Sequence, residues 1–246
     1  MCLIPARKGS KGLPRKNLKR VGFLTLVDRA IRVARQIGYP VQIILSSDDD
    51  KLIKKYKSKV DIVIRRDDGL AQDDSSIVDV IHNAVQIHGS INDDTLFMLL
   101  EPSSPNRKAQ DLLEGIEKLL KFECQALVTV SKVDEKFHPA KILRLTSKSK
   151  LTHFLKNENH ITNRQDIKQN LYYKNGILYI YRGSALKTLK TTLPPDTCYV
   201  ITKRHVSNID YDVDLWIARN IYLRDLFNSL KSRLFEKTNR LLFDSR

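Results

Sequence analysis

A chain of 246 residues, 41% hydrophobic and with a formal net charge of +15, is long enough to organise one substantial core. No apolar run approaches the length that spans a bilayer, and "MCLIPAR" lacks the basic-then-apolar pattern of a secretory leader, so a cytoplasmic protein with no membrane span is expected. The basic excess would suit nucleic acid, but zinc-finger spacing, an RNP-type aromatic motif and an interleaved Arg/aromatic patch are missing, so no nucleic acid is expected as a partner.

A very short first strand runs directly into "IPARKGSKGLPRKN", Ile4 to Asn17. In "FLTLVDRAIRVARQIG", Leu26, Val27, Ala30, Ile31 and Ala34 recur at helical spacing and Gly38 supplies a stop. "VQIILSS", Val41 to Ser47, reads as a buried strand. Asp48 to Lys59 reads as a helix with Leu52, Ile53 and Tyr56 on one face and lysines between, which places much of the charge on a solvated surface. "VDIVIRR", Val60 to Arg66, is a further strand, and "SSIVDVIHNAVQIHG" a helix with a serine start. "TLFMLLEPSSP", Thr95 to Pro105, is a strand broken by prolines; "AQDLLEGIEKLLKF" and "CQALVTVSKV" follow as helix and strand. This alternation predicts a mostly parallel sheet covered by helices on both faces. Cys2, Cys124 and Cys198 are far apart and lack CxxC or His spacing, so packed thiols are expected rather than a disulfide or a zinc site.

In such sheets ligands bind beyond the carboxyl ends of the strands. Four segments fall there: the opening loop, "SSDDD", "RRDDGLAQDDSS" and "LLEPSSPNR". In the first, Gly9 and Gly12 let the backbone approach an anion, successive N–H groups can form a nest, and Arg7, Lys11, Arg15 and Lys16 bring compensating charge. Such a loop suits a triphosphate, although its spacing is neither GxxxxGK[ST] nor GxGxxG. Glycine and charge alone leave a solvent-exposed basic turn equally open.

The full wording of the loop resembles the opening motif of the acylneuraminate cytidylyltransferases, which make CMP-activated sialic acids and related nonulosonic acids. "ILSSDDDKLI", "RRDDGLAQDDSSIVDVI" and "LLEPSSPNR" resemble that family's next segments, and "FHPAKIL", "NRQDIKQNLYYKNGILYIYR" and "SNIDYDVDLWIAR" follow in the family's order, to about Arg219. The resemblance implies a three-layer α/β/α, nucleotide-diphospho-sugar-transferase-like (Rossmann-like) fold with a mostly parallel sheet. One domain would fill 1–246, with a dimerisation and acceptor-binding excursion at 137–182. It further implies a homodimer that uses CTP, an anionic sugar acid and Mg²⁺: the anomeric hydroxyl attacks the α-phosphate and expels pyrophosphate. Carried over by position, Arg7, Ser10 and Lys16 would face the triphosphate, with Ala6, Asn17, Arg66 and Ser76 completing the nucleotide site. Glu101, Lys141, Arg164 and Tyr179 would serve the acceptor, and Asp210 and Asn208 the metal; Arg7, Lys16 and Asp210 form the implied catalytic set. Phosphoryl transfer needs positioning and charge neutralisation rather than a covalent nucleophile, which suits these residue types. Lys11 and Arg15 read as surface residues, and His138 as structural rather than a general base.

Two positions depart from the family pattern. Asp-Ile-Asp at the metal site reads Asn208-Ile209-Asp210 here, and the Gln before Pro-Thr-Ser-Pro reads Glu101. Asn208 keeps an oxygen ligand but no charge, so metal would bind more weakly, rely on triphosphate oxygens, or recruit Asp212 or Asp214. Glu101 puts an anion beside two anionic substrates, which is unfavourable unless Arg7, Arg107 or the metal neutralises it. "SKGLPRKN" favours a nine-carbon acid over the shorter ulosonic acids, whose enzymes usually carry Ser-x-Arg-Leu-Pro at this turn, whereas Asn208 favours a non-catalytic nucleotide-binding relative. Beyond the matched segments, 212–246 reads as a long amphipathic helix, packed at a domain edge or dimer interface or laid on a membrane surface.

Overall fold

The structure is a computed structural model, and it describes residues 1–10, 12–72, 75–89, 91–146, 149–155 and 170–243. Strand β1 (Cys2–Pro5) is an apolar run buried on both faces and ends at the basic loop. A two-strand ribbon follows, β2 (Arg20–Val21) with β3 (Leu24–Thr25), and β3 occupies residues expected to open the first helix. Helix α1 (Leu26–Arg35) begins only where the Thr25 hydroxyl accepts the Asp28 N–H, a cap that stabilises a helix by about 1 kcal/mol. Strand β4 (Ile43–Ser47) leads into α2 (Asp50–Tyr56), capped by Asp49, with Leu52 and Tyr56 buried and Lys51, Lys54 and Lys55 exposed as the sequence requires. Next come β5 (Ile62–Arg65), α3 (Ile77–His88), β6 (Leu96–Leu99), α4 (Ala109–Lys121) and β7 (Ala126–Lys132).

A short ribbon follows, β8 (Leu143–Leu145) with β9 (Leu151–His153), and the chain returns through β10 (Tyr172–Arg182), α5 (Gly183–Leu186) and β11 (Thr197–Ile201) to α6 (Asp212–Phe243). Residues 172–182, expected to close the 137–182 excursion, are instead a strand of the main sheet. Among the described residues that sheet has seven strands in the order β11-β7-β10-β6-β1-β4-β5. All run parallel except β10, which pairs antiparallel with both β6 and β7. Helices α1, α2 and α4 pack one face around Val27, Ala34, Leu52 and Leu112, and α3 packs the other around Ile81, Phe97 and Tyr181, which makes three layers.

Pairing of β11 with β7 brings Cys198 beside the turn that opens β7. There the structure joins Cys124 and Cys198 in a disulfide, with Cα atoms 5.9 Å apart, contrary to the expectation of three packed thiols; Cys2 alone matches it, as a buried free thiol. At the start of α6, Leu215, Ala218 and Ile221 are buried, whereas Leu226, Phe227 and Leu230 further along are exposed. Among the described residues no helix is long and apolar enough to cross a membrane.

Candidate active site

Loops from the carboxyl ends of β1, β5 and β6 line one cleft, whose wall includes Arg7, Ser10, Lys16, Arg66, Glu101 and Ser103. The sheet sets where it opens. Ala6 is buried one residue past β1; its N–H donates to the Ser46 carbonyl (2.9 Å) and its carbonyl accepts from Ser47 Oγ (2.6 Å). The chain then leaves the sheet, so Arg7 meets the cleft, where its Nη1 donates to the Gln72 carbonyl (3.2 Å). Asn17 closes the loop by donating from Nδ2 to the Arg7 carbonyl (2.8 Å). Arg66 is only 5% exposed and grips β4 through Ser46, with Nη2 donating to the carbonyl (3.1 Å) and Nε to Oγ (3.3 Å). Burial pulls its pKa down and Asp48 pulls it back up.

The opposite wall is held by a guanidinium. Arg107 is fully buried and donates to the carbonyls of Glu101 (2.9 Å), Gly176 (3.2 Å) and Ile177, tying the end of β6 to the middle of β10. Burial lowers its pKa to about 10. At that point β10 is bulged: its register shifts between Lys174 and Tyr179, and Gly176 adopts φ +71, which glycine tolerates without strain. Asn175 pins the bulge, its Oδ1 accepting from Thr129 Oγ1 (2.7 Å) and the Ile177 N–H (3.1 Å) and its Nδ2 donating to Ser131 Oγ (3.0 Å). Burial pushes the Glu101 carboxyl above the usual range; Arg107 and Lys16 oppose the shift, and Asp210 adds to it.

The third wall precedes α6. Asp210 forms an ion pair with Lys16, Nζ to Oδ1 3.0 Å. Asp214, considered with Asp212 as a spare metal ligand, uses its Oδ2 to accept the N–H groups of Asp210 (2.9 Å) and Tyr211 (2.8 Å), capping the helix. The two glycines of the opening loop differ in use. A Cβ on Gly12 would overlap the Asp210 carbonyl oxygen and press within 3.1 Å of the Tyr211 ring, so Gly12 seats this loop on the Asp210 loop rather than forming a nest; Gly9 has nothing within 4 Å and keeps room for a ligand.

A cytidylyltransferase family model matches residues 1–231. The chain belongs to that family. It is 28% identical over 230 residues to the pseudaminic acid cytidylyltransferase of Campylobacter jejuni, covering 90% of this chain and 95% of that one. It is also 28% identical over 255 residues to the N-acylneuraminate cytidylyltransferase of Escherichia coli, spanning 58% of that longer protein. Among solved structures, CMP:2-keto-3-deoxy-manno-octonic acid synthetase complexed with CTP shares the fold at 15% identity, with a TM-score of 0.64 over 91% of this chain and 98% of that one.

Of the residues expected in the site, Arg7, Ser10, Lys16, Asn17, Arg66 and Glu101 meet in the cleft, and Asp210 joins through Lys16. Ala6 is buried and does not line the cleft, its N–H and carbonyl being paired with Ser46 and Ser47. Ser76 is spent differently from expectation: its Oγ accepts the Val78 N–H (3.1 Å) as the cap of α3, and its neighbour Ser75 lines the cleft. Tyr179 is buried in the sheet core, and Lys141, in a 3₁₀ turn at Pro139–Lys141, does not line the cleft. Buried His138 caps that same turn, Nδ1 accepting the Ala140 N–H (3.3 Å). Arg164 and Lys11 lie outside the described residues, and Arg15 is exposed. Gln72, Ser75 and Ser103 were not anticipated as lining residues. Nor was the positioning role of Arg107, for which a lone cation beside a buried run is the only local signal.

Proposed function

We propose that the chain transfers CMP from CTP to the anomeric hydroxyl of a sialic-acid-like nonulosonic acid and releases pyrophosphate, working as a homodimer in the cytoplasm. The observation that carries this reading is the convergence of Arg7, Lys16 and Arg66 on one cleft at the strand carboxyl ends, across from Glu101. In the reaction the hydroxyl oxygen bonds to the α-phosphorus, the bond from that phosphorus to the α–β bridging oxygen breaks, and the hydroxyl proton leaves to solvent. Arg7 and Lys16 counter the charge that builds on the departing pyrophosphate, and fixed cations in a partly dry cleft do so without reorganising. Asn17 holds the loop that presents Arg7, and Arg66 anchors the end of β5 to β4 at the cleft. Ser10 lines the same cleft and can donate to a phosphate oxygen.

Mg²⁺ fits the donor set. Mg²⁺ is commonly held by one or two carboxylates, with phosphate oxygens and water completing its octahedron, and Asp210 stands beside the cleft through its pair with Lys16. Asp210, with Asn208 beside it in sequence, would hold it, and bound Mg²⁺ would supply further neutralisation of the triphosphate. Lys16, already paired with Asp210, keeps that carboxylate turned to the cleft. The homodimer is supported by the β8–β9 ribbon, whose Leu143, Leu145 and Leu151 side chains are exposed.

The names of the relatives support a nine-carbon acceptor, including a 30% identical match over 143 residues to the CMP-N,N'-diacetyllegionaminic acid synthase of Legionella pneumophila. The test is pyrophosphate release from CTP with pseudaminic, N-acetylneuraminic, legionaminic and 3-deoxy-octulosonic acids in turn. Release with a nine-carbon acid is expected. Release with the eight-carbon acid alone overturns the acceptor class, and release with none overturns the activity.

A further inference from the structure

Glu101, Ser104 and Asn208 come from distant parts of the chain and converge on one small space beside Gly176. A Cβ there would lie 3.0 Å from Ser104 Oγ, 3.4 Å from Glu101 Oε2 and 3.6 Å from Asn208 Nδ2. The absent side chain of Gly176 leaves that space open. Ser104 is 1% exposed, and its Oγ has no hydrogen-bond partner among the described residues. The Glu101 carboxylate likewise makes no hydrogen bond or ion pair among them, although it lines the cleft. Arg107, the nearest buried cation, is committed to three backbone carbonyls, and the Lys16 ammonium is paired with Asp210 at 3.0 Å. A desolvated carboxylate with no partner is unfavourable, and a second carboxylate nearby makes it more so. Asp214 commits its Oδ2 to the N–H groups of Asp210 and Tyr211 at the start of α6.

We propose that Glu101 and Asp210 together bind the divalent cation, so that the negative charge missing at Asn208 is supplied from position 101. The inference rests on the cytidylyl-transfer reading for its cation. It also gives one account of both departures in the sequence: an amide at 208 and a carboxylate at 101, where the related motifs carry a carboxylate and an amide, leave the charge of the cluster unchanged. Ser104 Oγ, aimed at the same space, is placed to hold a water on that cation.

The test is a titration of Mn²⁺ into the full chain, alone and with CMP bound, followed by loss of the free-ion electron paramagnetic resonance signal. Wild type should bind Mn²⁺, Glu101→Gln should weaken binding by about 10–100-fold, and the exchange Glu101→Gln with Asn208→Asp should recover most of that loss. A cooperative thermal melt of Glu101→Gln alone separates loss of metal from loss of fold. If Glu101→Gln binds Mn²⁺ as wild type does and only raises KM for the sugar acid, Glu101 is an acceptor residue and the inference fails. It fails equally if the exchanged pair stays as weak as Glu101→Gln. Because metal binding is read without turnover, absence of pyrophosphate release with every acid would count against the functional reading alone.

Discussion

Replacing Arg107 by Met keeps a long side chain in the same space but removes the donors that join β6 to β10. The carbonyls of Glu101, Gly176 and Ile177 lose their guanidinium contacts. A buried carbonyl left without a partner costs about 1–3 kcal/mol, so three would exceed about 3 kcal/mol if nothing offset them. Something does: the cation is itself costly to bury, as its pKa near 10 records, and deleting it returns that penalty. A net loss of about 2–4 kcal/mol follows, which for a chain of this length lowers Tm by about 4–16 °C. Arg107→Lys keeps the charge but offers a single ammonium to carbonyls spread along two strands, and it should melt between the two. Calorimetry on the three proteins decides the matter. Arg107→Met melting at the wild-type temperature would refute the argument, since it would mean that the bulge of β10 holds its place without the guanidinium.

Three other outcomes follow from the same contacts. Arg7→Ala should weaken CTP binding by about 10–150-fold, the loss of one charge-assisted contact worth about 1.5–3 kcal/mol, and equal affinities by titration calorimetry would remove Arg7 from the nucleotide site. Leu145→Asp places a charge on a side chain that is 79% exposed, so circular dichroism should report an intact fold while light scattering reports a monomer in place of the proposed dimer; a mass that stays dimeric would mean that the β8–β9 ribbon is not the interface. Asp28 is drawn up by burial but more strongly down by hydrogen bonds from Lys59, Thr25 and Tyr56, so its folded pKa lies below its unfolded one. The stability it lends is therefore complete above the unfolded value of about 3.9 and disappears as pH falls through the folded one. The Tm difference between wild type and Asp28→Asn should accordingly be constant down to about pH 4 and close below it; a difference that persists to lower pH would contradict the assignment.

The parts of the fold legible in sequence are those whose causes are local. Buried strands β1 and β4 are apolar runs, and Asp49 and Ser76 stand at the starts of α2 and α3 with caps that need only the next turn. Strand β11 has no such signature. "TCYVI" sits at the sheet edge behind Pro194 and Pro195, and it becomes a strand by pairing with β7, whose position depends on the whole topology. The Cys124–Cys198 disulfide is hidden for the same reason: two cysteines far apart in the chain meet only after β11 has docked. Likewise, the apolar positions of α6 look alike in sequence, yet among the described residues Leu215, Ala218 and Ile221 are buried whereas Phe227 and Leu230 are exposed, a difference set by what the folded chain places beside each turn.

At the site, sequence located the loops better than the work of each side chain. The residue types that bind ligands are also those that hold loops, so Asn17 clasps Arg7 and Ser76 caps α3, while Tyr179, in an alternating strand, is buried in the core. Reading which role applies requires knowing what lies within 3 Å, and that is set by chain crossings. Asn208 and Glu101 make the point most sharply. Taken singly, the first is a lost charge and the second an unwelcome one, and each argues for a weakened site. Gly176 brings the two within contact distance of one space, and Arg107 fixes the backbone of both Glu101 and Gly176 so that the approach is maintained. Two apparent defects in the linear pattern then become one conserved quantity, the charge facing a cation, which belongs to the cluster and to neither position alone.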